Sequence, residues 1–478
     1  MNGTEEQKQI WNEMASSNDH MMVYAGAGTG KTYTIVEGAK LVSGKKGFLA
    51  FNKSIATELK TRLPSDCDAL TFHSLGYSAV RMRQRNCRFD GRKTWNIVKE
   101  VMGREYESVA QVVKLISQLK NCMADWEDRD AIDYLIDRYD IEFDGVLDKK
   151  EAISYLPLMK EYCLDPLTVD FDDMVWLPVE MNLPVRHYDV VFVDEAQDFN
   201  EVQRRLILKT CNGGRMIVVG DPKQAIYGFR GADSTSMDIF KKELENSTRE
   251  VSNFTLSITW RCPKSVVREA NRFFPDYDSR DDADEGEVKI SEDFFPQIGD
   301  LVLCRVNAPL VGHCLRLISQ GTRAKVLGRE IGKGLSVLVK KVTADTSMPI
   351  AKFLPNLGEF VFNLSAHLKK QDKDRQIQTL TDKADCIVAL TRDATTVKGL
   401  LQNIETVFNN KSGACVTFST IHKAKGLEAD NIWILKPDLM PHPMAKSAAD
   451  KQQEKNLCYV AITRAKKTLT YVGSERIG

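Results

Sequence analysis

The feature that most constrains the fold is a glycine-rich segment near the start of the chain, Ala25-Gly26-Ala27-Gly28-Thr29-Gly30-Lys31-Thr32. It follows the apolar run Met21-Met22-Val23-Tyr24 and leads into Tyr33-Thr34-Ile35-Val36, which can form a helix. A strand, a glycine-rich turn and a helix N-terminus form a cradle whose backbone N–H groups attract phosphate. Lys31 would then reach the β- and γ-phosphates, and Thr32 would hold magnesium. The alternative is a glycine turn that carries a lysine by chance.

Two further apolar runs end at polar residues. Val190-Val191-Phe192-Val193 precedes Asp194-Glu195, and Met216-Ile217-Val218-Val219 precedes Gly220-Asp221-Pro222. Short all-apolar runs are typical of a parallel sheet that is covered on both faces, and ligands bind at the carboxyl ends of its strands. We therefore expect the three runs to bring their polar residues to one edge. There Asp194 would hold Mg²⁺, and Glu195 would orient and deprotonate the attacking water.

The segment after the third run carries a glutamine and a group of aromatic and basic residues. Gln224 lies just past the strand end, where it would sense the γ-phosphate. Tyr227, Phe229 and Arg230 have the chemistry of a platform for unpaired bases, on which stacking contributes about 1–3 kcal/mol per base. The alternative is that these rings fill a hydrophobic core.

Length and composition set the class of protein. A chain of 478 residues is too long for one hydrophobic core. The absence of a long apolar run and of a signal-peptide pattern predicts no membrane contact and an intracellular, cytoplasmic protein, with the nucleus or a virus-infected host cell left open. Lys+Arg and Asp+Glu are both 66, which does not decide about nucleic acid because a basic groove is local. Eleven cysteines without a C-x-x-C pair argue against cysteine metal sites.

The spacing of apolar residues along the sequence predicts two α/β domains, each interrupted by a helical insertion. Helical spacing such as Val112-Val113 followed by Leu115-Ile116 replaces strand patterns in the first insertion. A second α/β domain is expected to start near Phe254-Thr255-Leu256. The predicted boundaries are 1–80 with 167–253 for the first domain, 81–166 for its insertion, 254–334 with 411–478 for the second domain, and 335–410 for its insertion.

Two arginines in the second half fit the same chemistry. Arg261 follows Trp260, and Arg464 follows Thr463. The transition state of γ-phosphate transfer is stabilised by positive charge that arrives when domains close. An isolated arginine is more often part of a surface salt bridge, so the context has to support this role.

In order along the chain, the motifs from Gln7 to Arg464 resemble superfamily 1 helicases of the UvrD/Rep/PcrA type. The sequences of these motifs are most similar to the F-box DNA helicase branch, although no F-box is expected before the phosphate loop. The segments that carry the resemblance are Thr4-Glu5-Glu6-Gln7, Ala25 to Thr32, Ala50-Phe51-Asn52-Lys53, Thr71-Phe72-His73-Ser74, Phe171-Asp172-Asp173-Met174, Trp260-Arg261, Thr420 to Glu428, and Tyr459 to Ala465.

The resemblance implies two RecA-like P-loop NTPase domains with parallel sheets flanked by helices, and with ATP and Mg²⁺ between them. The implied catalytic residues are Lys31, Glu195, Gln224, Arg261 and Arg464. The implied ATP contacts are Gln7, Gly26, Ala27, Gly28, Thr29, Gly30, Lys31, Thr32, Trp260, Arg261, Gly426, Glu428 and Arg464. Thr32 and Asp194 are the implied Mg²⁺ residues. The implied DNA contacts are Phe51, Asn52, Thr71, His73, Tyr227, Phe229, Arg230 and His422.

By the same resemblance, the expected activity is ATP-dependent 3′–5′ unwinding of DNA, or translocation on single-stranded DNA, in replication, recombination or repair. The expected substrates are single-stranded DNA and junctions of single and double strands. A recombinase, a nuclease or a single-strand-binding protein is the expected protein partner. One alternative is a translocase that strips proteins from single strands and unwinds weakly, which the short second insertion favours. Another is a nucleotide-regulated DNA-binding partner of a nuclease.

Overall fold

The computed structural model describes residues 3–50, 53–103, 106–139, 141, 143, 149–226, 236–370, 374–408, 413–443, 445 and 447–478. The chain forms two compact units, Met1–Ile258 and Thr259–Gly478. Each unit contains a six-stranded sheet flanked by helices. The predicted α/β class with parallel sheets is therefore confirmed.

The first unit contains strands and helices in alternation around its sheet. Its strands are β1 (His20–Ala25), β2 (Lys46–Ala50), β3 (Cys67–Thr71), β4 (Arg88–Phe89), β5 (Thr168–Val169), β6 (Val190–Val193), β7 (Arg215–Gly220) and β8 (Val251–Leu256). Its helices are α1 (Glu5–Ser16), α2 (Lys31–Ala39), α3 (Lys53–Leu59), α4 (Phe72–Arg83), α5 (Lys93–Met102), α6 (Tyr106–Asn121), α7 (Arg129–Arg138), α8 (Lys149–Ser154), α9 (Leu156–Cys163), α10 (Phe171–Glu180), α11 (Glu201–Cys211) and α12 (Ser236–Glu245). Short 3₁₀ helices cover Ala196–Asp198 and Pro222–Gln224.

The strand order of the first sheet is β3-β2-β6-β7-β1-β8, and all neighbours are parallel. Strand β7 lies between β6 and β1, so the three apolar runs are adjacent and end at one edge, as expected. Alternate residues of β6 pack into the two hydrophobic cores on opposite faces of the sheet. Val191 and Val193 face the side of the helical insertion, whereas Val190 and Phe192 face the side of α1 and α2. Burial on both faces explains why the run has no polar residue.

One predicted boundary is wrong. The run Phe254-Thr255-Leu256 does not open the second domain; it is the end of β8, which pairs with β1 in the first sheet. The register matches His20 with Val251 and Ala25 with Leu256. An isolated strand pattern does not identify the sheet that the strand joins, because that choice is made by backbone hydrogen bonds to a strand distant in sequence.

The helical insertion of the first unit is tied to the sheet domain by buried charges as well as by apolar packing. The ammonium groups of Lys93 on α5 and Lys120 on α6 each lie 2.8 Å from a carboxylate oxygen of Asp173 on α10. Lys93 also donates to the backbone oxygen of Cys163 at 2.7 Å. All three charged side chains are buried, and Asp170, 3.7 Å from Lys120, supplies a second negative charge that balances the two lysines. The network fixes α5 and α6 against the start of α10.

The second unit repeats the design with different connections. Its strands are β9 (Ile258–Thr259, which begins at the last residue of the first unit), β10 (Asp278–Ser279), β11 (Glu287–Ser291), β12 (Leu301–Cys304), β13 (Ala324–Val326), β14 (Val416–Thr420), β15 (Ala429–Leu435) and β16 (Ala465–Val472). Its helices are α13 (Lys264–Ala270), α14 (Ala308–Ser319), α15 (Arg329–Val342), α16 (Ile350–Lys369), α17 (Asp374–Leu390), α18 (Val397–Val407), α19 (Ile421–Ala424) and α20 (Ala448–Ile462). A 3₁₀ helix covers Pro437–Leu439.

The second sheet has the order β11-β16-β15-β12-β14-β13 and is parallel throughout. Helices α15 to α18 form the insertion, and they share one hydrophobic core with the sheet, in which Leu335 and Leu400 meet Val302 and Phe418. The predicted helical character of both insertions is confirmed. Within the part of the chain that the structure describes, every helix is too short or too polar to cross a membrane.

Candidate active site

The glycine-rich segment forms a turn between β1 and α2. Gly28 and Gly30 have φ values of 69° and 82°, in the left-handed region that only glycine adopts readily. Gly30 is the N-cap of α2, so Lys31 and Thr32 open the helix at its positively polarised end. The Lys31 side chain is only 9 % exposed. The N–H of Gly26 donates to the backbone oxygen of Leu256 at 2.8 Å, which fixes the start of the turn to β8.

The hydroxyl of Thr32 and the carboxylate of Asp194 are in direct contact. Thr32 Oγ1 donates to Asp194 Oδ2 at 2.6 Å, although the residues are 162 positions apart in sequence. The other carboxylate oxygen accepts the backbone N–H of Glu195 at 2.9 Å. A hydroxyl and a buried carboxylate side by side are hard oxygen donors of the kind that Mg²⁺ prefers, so the residues fit the predicted metal.

Charge is balanced within this group. Lys31 Nζ lies 3.9 Å from Glu195 Oε1. Burial, with a further contribution from the charge of Glu195, raises the pKa of Asp194 to about 6. The hydrogen bond from Thr32 and the charge of Lys31 act in the opposite direction. The carboxylate of Asp194 therefore carries an electrostatic cost that a bound cation would remove.

Two residues that the sequence did not predict as site residues connect Glu195 to Gln224. Gln197 Nε2 donates to Glu195 Oε2 at 2.5 Å, and its Oε1 accepts the N–H of Asp221 at 2.8 Å. Asp221 Oδ2 in turn accepts Gln224 Nε2 at 2.6 Å. Gln197, Asp221 and Gln224 are all buried. The signal that identifies Gln197 is its spacing two residues after Glu195, and Asp221 is the first residue after β7.

Glu195 itself has a backbone constraint. Its φ is 55°, in the left-handed region, although it is not a glycine. Such a conformation costs free energy and is found where the surroundings hold a functional side chain in place. Here the bonds to Asp194 and Gln197 supply that constraint.

Gln7 connects α1 to the phosphate loop. Its Oε1 accepts the N–H of Thr4 at 3.0 Å, completing a capping box at the start of α1. Its Nε2 donates to Thr34 Oγ1 at 2.9 Å, and that hydroxyl donates to the backbone oxygen of Gly30. The carboxamide is buried. The structure thus places Gln7 beside the loop, and its contact with ATP stays a prediction.

In the second unit, Arg261 has two partners. Its Nε donates to Glu428 Oε2 at 2.7 Å, and its Nη1 donates to the backbone oxygen of Thr463 at 3.2 Å. Glu428 also pairs with Lys466 at 2.6 Å, and these two cations hold the pKa of the Glu428 carboxyl below its usual value against the effect of burial, which raises it. The neighbouring Trp260 is 47 % exposed, and the guanidinium of Arg280 lies 4.6 Å from its ring centroid.

Arg464 is 1 % exposed and lies inside the second unit. Its Nε donates to the oxygen of Val460 at 2.9 Å, and Nη1 donates to the oxygen of Leu427 at 3.3 Å. Burial and the charge of Arg261 lower the pKa of Arg464 to about 10. Gly426, with φ of 85°, turns the chain between α19 and β15. Arg261, Arg464, Gly426 and Glu428 are therefore neighbours in one region.

The structure describes three of the eight predicted DNA-contact residues. Thr71 caps α4, where its Oγ1 accepts the N–H of Ser74 at 3.2 Å, and His73 is exposed on the same turn. His422 is partly buried on α19, and burial beside Arg305 lowers its pKa to about 4. The remaining predicted contacts lie outside the described residues: Phe51, Asn52, Tyr227, Phe229 and Arg230.

Comparison with known proteins gives two family matches. The family described as UvrD/REP helicase N-terminal domain matches residues 4–245, just over half of the chain, and the UvrD-like helicase C-terminal domain matches residues 354–475. F-box DNA helicase protein 1 of Schizosaccharomyces pombe is 26 % identical over 98 % of this chain and 57 % of its own length. F-box DNA helicase 1 of Gallus gallus is 24 % identical over 98 % of this chain and 48 % of its own.

The ATP-dependent DNA helicase PcrA of Bacillus subtilis is 25 % identical over 57 % of this chain and 40 % of its own length. The chain thus spans about half the length of the F-box relatives that it matches. The two matched family domains cover the phosphate loop in one unit and the Arg464 region in the other.

Proposed function

The chain belongs to the UvrD/REP helicase family, and on that premise we propose that it is an ATP-driven DNA helicase that moves 3′ to 5′ along single-stranded DNA. Its substrates are single strands and junctions of single and double strands. Its work lies in replication, recombination or repair. Its partners are a recombinase, a nuclease or a single-strand-binding protein.

The observation that carries the proposal is the contact of Thr32 with Asp194 beside Lys31 and Glu195. A cation, two oxygen ligands and a base meet at the carboxyl edge of the first sheet. These are the groups that phosphoryl transfer from ATP to water requires. They come from two segments far apart in sequence, so their meeting is a property of the fold.

Each group has a role that follows from its position. Lys31, at the N-terminus of α2, would neutralise charge on the β- and γ-phosphates. Glu195 would orient the attacking water and take its proton, and Gln197 holds the carboxylate of Glu195 in place. Gln224, linked to this group through Asp221, would respond to the γ-phosphate. Mg²⁺, held by Thr32 and Asp194, would supply charge that stabilises the phosphate oxygens.

The second unit would supply further positive charge and base stacking. Arg261 and Arg464 would stabilise the charge that develops on the γ-phosphate, and Trp260 would stack on adenine. Glu428 now pairs with Arg261, so it would position that arginine. Thr71, His73 and His422, with the predicted residues beyond the described part, would contact the DNA.

The decisive experiment measures ATP hydrolysis and strand separation on substrates with 3′ tails, 5′ tails and RNA tails. We expect single-stranded DNA to stimulate hydrolysis and only 3′-tailed DNA to support unwinding. Glu195→Gln should bind ATP but hydrolyse it at least about 10²-fold more slowly, since general base catalysis contributes about 10²–10⁴-fold. Glu161→Gln, which changes an exposed carboxylate on α9, is the matched control.

Two outcomes would contradict the proposal. Hydrolysis that does not respond to DNA would exclude a translocase. A Glu195→Gln variant with normal turnover would remove Glu195 from the chemistry. Displacement of a bound protein from single strands without unwinding would instead support the stripping translocase that the short second insertion favours.

A further inference from the structure

A cavity of about 260 Å³, here called the insertion cavity, lies where the first helical insertion meets α11 of the sheet domain. Its walls include Cys122 just after α6, then Ala131, Tyr134 and Leu135 on α7, and Arg204 on α11. Tyr134 is 55 % exposed, whereas Leu135 is buried in the hydrophobic core. The cavity therefore opens at the surface and reaches the core. None of its lining residues belongs to the phosphate site.

The size and the walls of the insertion cavity fit a single aromatic ring. Pockets that hold whole drug-sized ligands enclose about 300–1,000 Å³, so this cavity is too small for a nucleotide. The rings of Tyr134 and Tyr139 and the aliphatic side chains of Ala131 and Leu135 supply apolar surface. Aromatic rings pack well against other rings in edge-to-face contacts.

The buried part of the wall carries an N–H group that lacks an acceptor. Arg204 is only 4 % exposed; it pairs with Glu201, and its Nη1 donates to the backbone oxygen of Phe199 at 3.4 Å. Its Nε lies 3.8 Å from Glu243 Oε2, too far for a hydrogen bond, and forms none with any group that the structure describes. A buried donor of this kind costs free energy that an oxygen on a bound ring would recover.

The surface around the opening is acidic. Residues 125–138 contain six carboxylates and two arginines. Asp130 and Asp137 are exposed on α7, four residues before and three residues after Tyr134, so the three side chains share one face of the helix. This charge repels the phosphates of a nucleic acid and attracts lysine and arginine.

We propose that the insertion cavity is a docking site for a partner protein, and that it receives an aromatic side chain flanked by lysine or arginine residues. Tyrosine fits better than phenylalanine, because its hydroxyl oxygen can accept a hydrogen bond from Arg204. The proposal goes beyond the proposed function and does not depend on it, since the docking of a protein segment requires neither DNA nor ATP.

Two features favour a partner protein over other occupants. A free aromatic molecule would fill the cavity but would leave the acidic surface around it unused. A nucleic acid would bring phosphates to that acidic surface. A basic protein segment with an aromatic residue satisfies both chemistries, and exposed tyrosine and arginine, such as Tyr134 and Arg138, are residue types that contribute strongly to protein interfaces.

The test uses the full 478-residue chain without DNA or nucleotide and measures the fluorescence anisotropy of a labelled peptide, Lys-Lys-Tyr-Lys-Lys. A peptide with alanine in place of the tyrosine should bind about ten-fold more weakly or less, because a buried aromatic anchor contributes at least that much. The peptide Glu-Glu-Tyr-Glu-Glu should not bind, since the surface around the cavity carries the same sign of charge.

Variants of the protein test the site from the other side. Tyr134→Ala and Ala131→Leu, which fills the cavity, should each weaken binding of Lys-Lys-Tyr-Lys-Lys about ten-fold, and Ala131→Leu should unfold no earlier than the wild type. Asp130→Asn combined with Asp137→Asn should weaken it about two- to five-fold. Tyr162→Ala, which removes a tyrosine that is 49 % exposed on α9 of the same insertion, is the matched control and should bind normally.

A chemical readout locates the bound peptide. Cys122 lines the cavity and is partly buried, and Cys415 is a partly buried thiol of the second unit. The peptide Lys-Lys-Tyr-Lys-Lys should slow the alkylation of Cys122 by iodoacetamide, measured by mass spectrometry, and should leave the rate at Cys415 unchanged.

Each contrary outcome has a defined meaning. The docking site is wrong if Lys-Lys-Tyr-Lys-Lys does not bind, or if it binds Tyr134→Ala and Ala131→Leu as well as the wild type. Protection of Cys122 by free p-cresol but not by the peptide would assign the cavity to a small molecule, and protection by oligo(dT) alone would assign it to nucleic acid. ATP hydrolysis that does not respond to DNA would overturn the proposed function and leave the docking site intact.

Discussion

The two sheets present charged residues beyond their strand ends, but they hold them in different ways. In the first unit the site residues bond to one another through side chains, as Thr32 does with Asp194 and Gln224 with Asp221. In the second unit Arg464 donates to the backbone oxygens of Val460 and Leu427. Arg261 combines a backbone bond to Thr463 with an ion pair to Glu428. The first site is arranged before any nucleotide arrives.

The difference indicates what each unit must do when ATP binds. In the first unit Lys31, Asp194 and Glu195 already lie together, with Lys31 Nζ 3.9 Å from Glu195 Oε1. On the proposed function, Arg261 would exchange its bond to Glu428 for one to phosphate. Glu428 is 38 % exposed, so its carboxylate would stay in contact with water when Arg261 moves away. Glu428 would thus orient the Arg261 side chain through an ion pair that can still break when phosphate binds.

The largest expected effect concerns Lys31 in the phosphate loop of the first unit. Lys31→Ala should reduce ATP hydrolysis by about 10³-fold or more, because one charge-stabilising group at the γ-phosphate contributes on that order. DNA binding without nucleotide should persist. The measurement is phosphate release with saturating single-stranded DNA. Lys40→Ala, at an exposed lysine just after the same helix, is the control. Hydrolysis that survives Lys31→Ala would end the phosphate-loop assignment.

The next effect separates the two arginines. Arg261→Ala should lower the rate of hydrolysis about 10²-fold with little change in thermal unfolding, since the side chain is partly exposed. Arg464→Ala should lower both, and it should cost about 2–4 kcal/mol of stability, because its removal leaves a buried void and unpaired carbonyl oxygens.

The readout is the unfolding midpoint of each variant beside its rate of hydrolysis. Arg464→Lys, which keeps the charge, should recover part of the stability and less of the rate. Identical unfolding midpoints for Arg261→Ala and Arg464→Ala would show that the contrast between the arginines is wrong.

The smallest expected effect concerns the free-energy cost of burying the Asp194 carboxylate in the first unit. The pKa of Asp194 is raised in the folded protein to about 6, so the folded state binds a proton more tightly than the unfolded state. The contribution of Asp194 to the stability of the nucleotide-free protein should therefore fall as pH rises from about 4 to about 6. Asp194→Asn removes the charge and should be more stable than the wild type at pH 7, by about 1–3 kcal/mol.

The measurement is the thermal unfolding midpoint against pH without Mg²⁺ or nucleotide. The gap between Asp194→Asn and the wild type should open between about pH 4 and about pH 6 and close below that range, where the carboxyl is protonated in both states. Asp137→Asn, which changes an exposed carboxylate on α7, should show no such gap. A gap that does not depend on pH would mean that burial of Asp194 carries no charge cost.

Several features of the site were predictable because they depend on local chemistry. The left-handed glycines Gly28 and Gly30 and the helix that starts at Lys31 follow from the segment itself. The adjacency of the ends of β1, β6 and β7 follows from the rule for parallel sheets. Gln197 and Asp221 were not predictable as site residues, because the bonds that connect them depend on distances between separate segments.

The sequence by itself determined the class of fold, the phosphate loop and the identity of the chemical groups, because each is encoded by residues next to one another. The tertiary structure decided which strand joins which sheet, as β8 shows by joining the first. It also decided that Arg464 is buried while Arg261 is held by a carboxylate. Backbone pairing and burial are set by contacts between distant segments, and a linear pattern does not contain them.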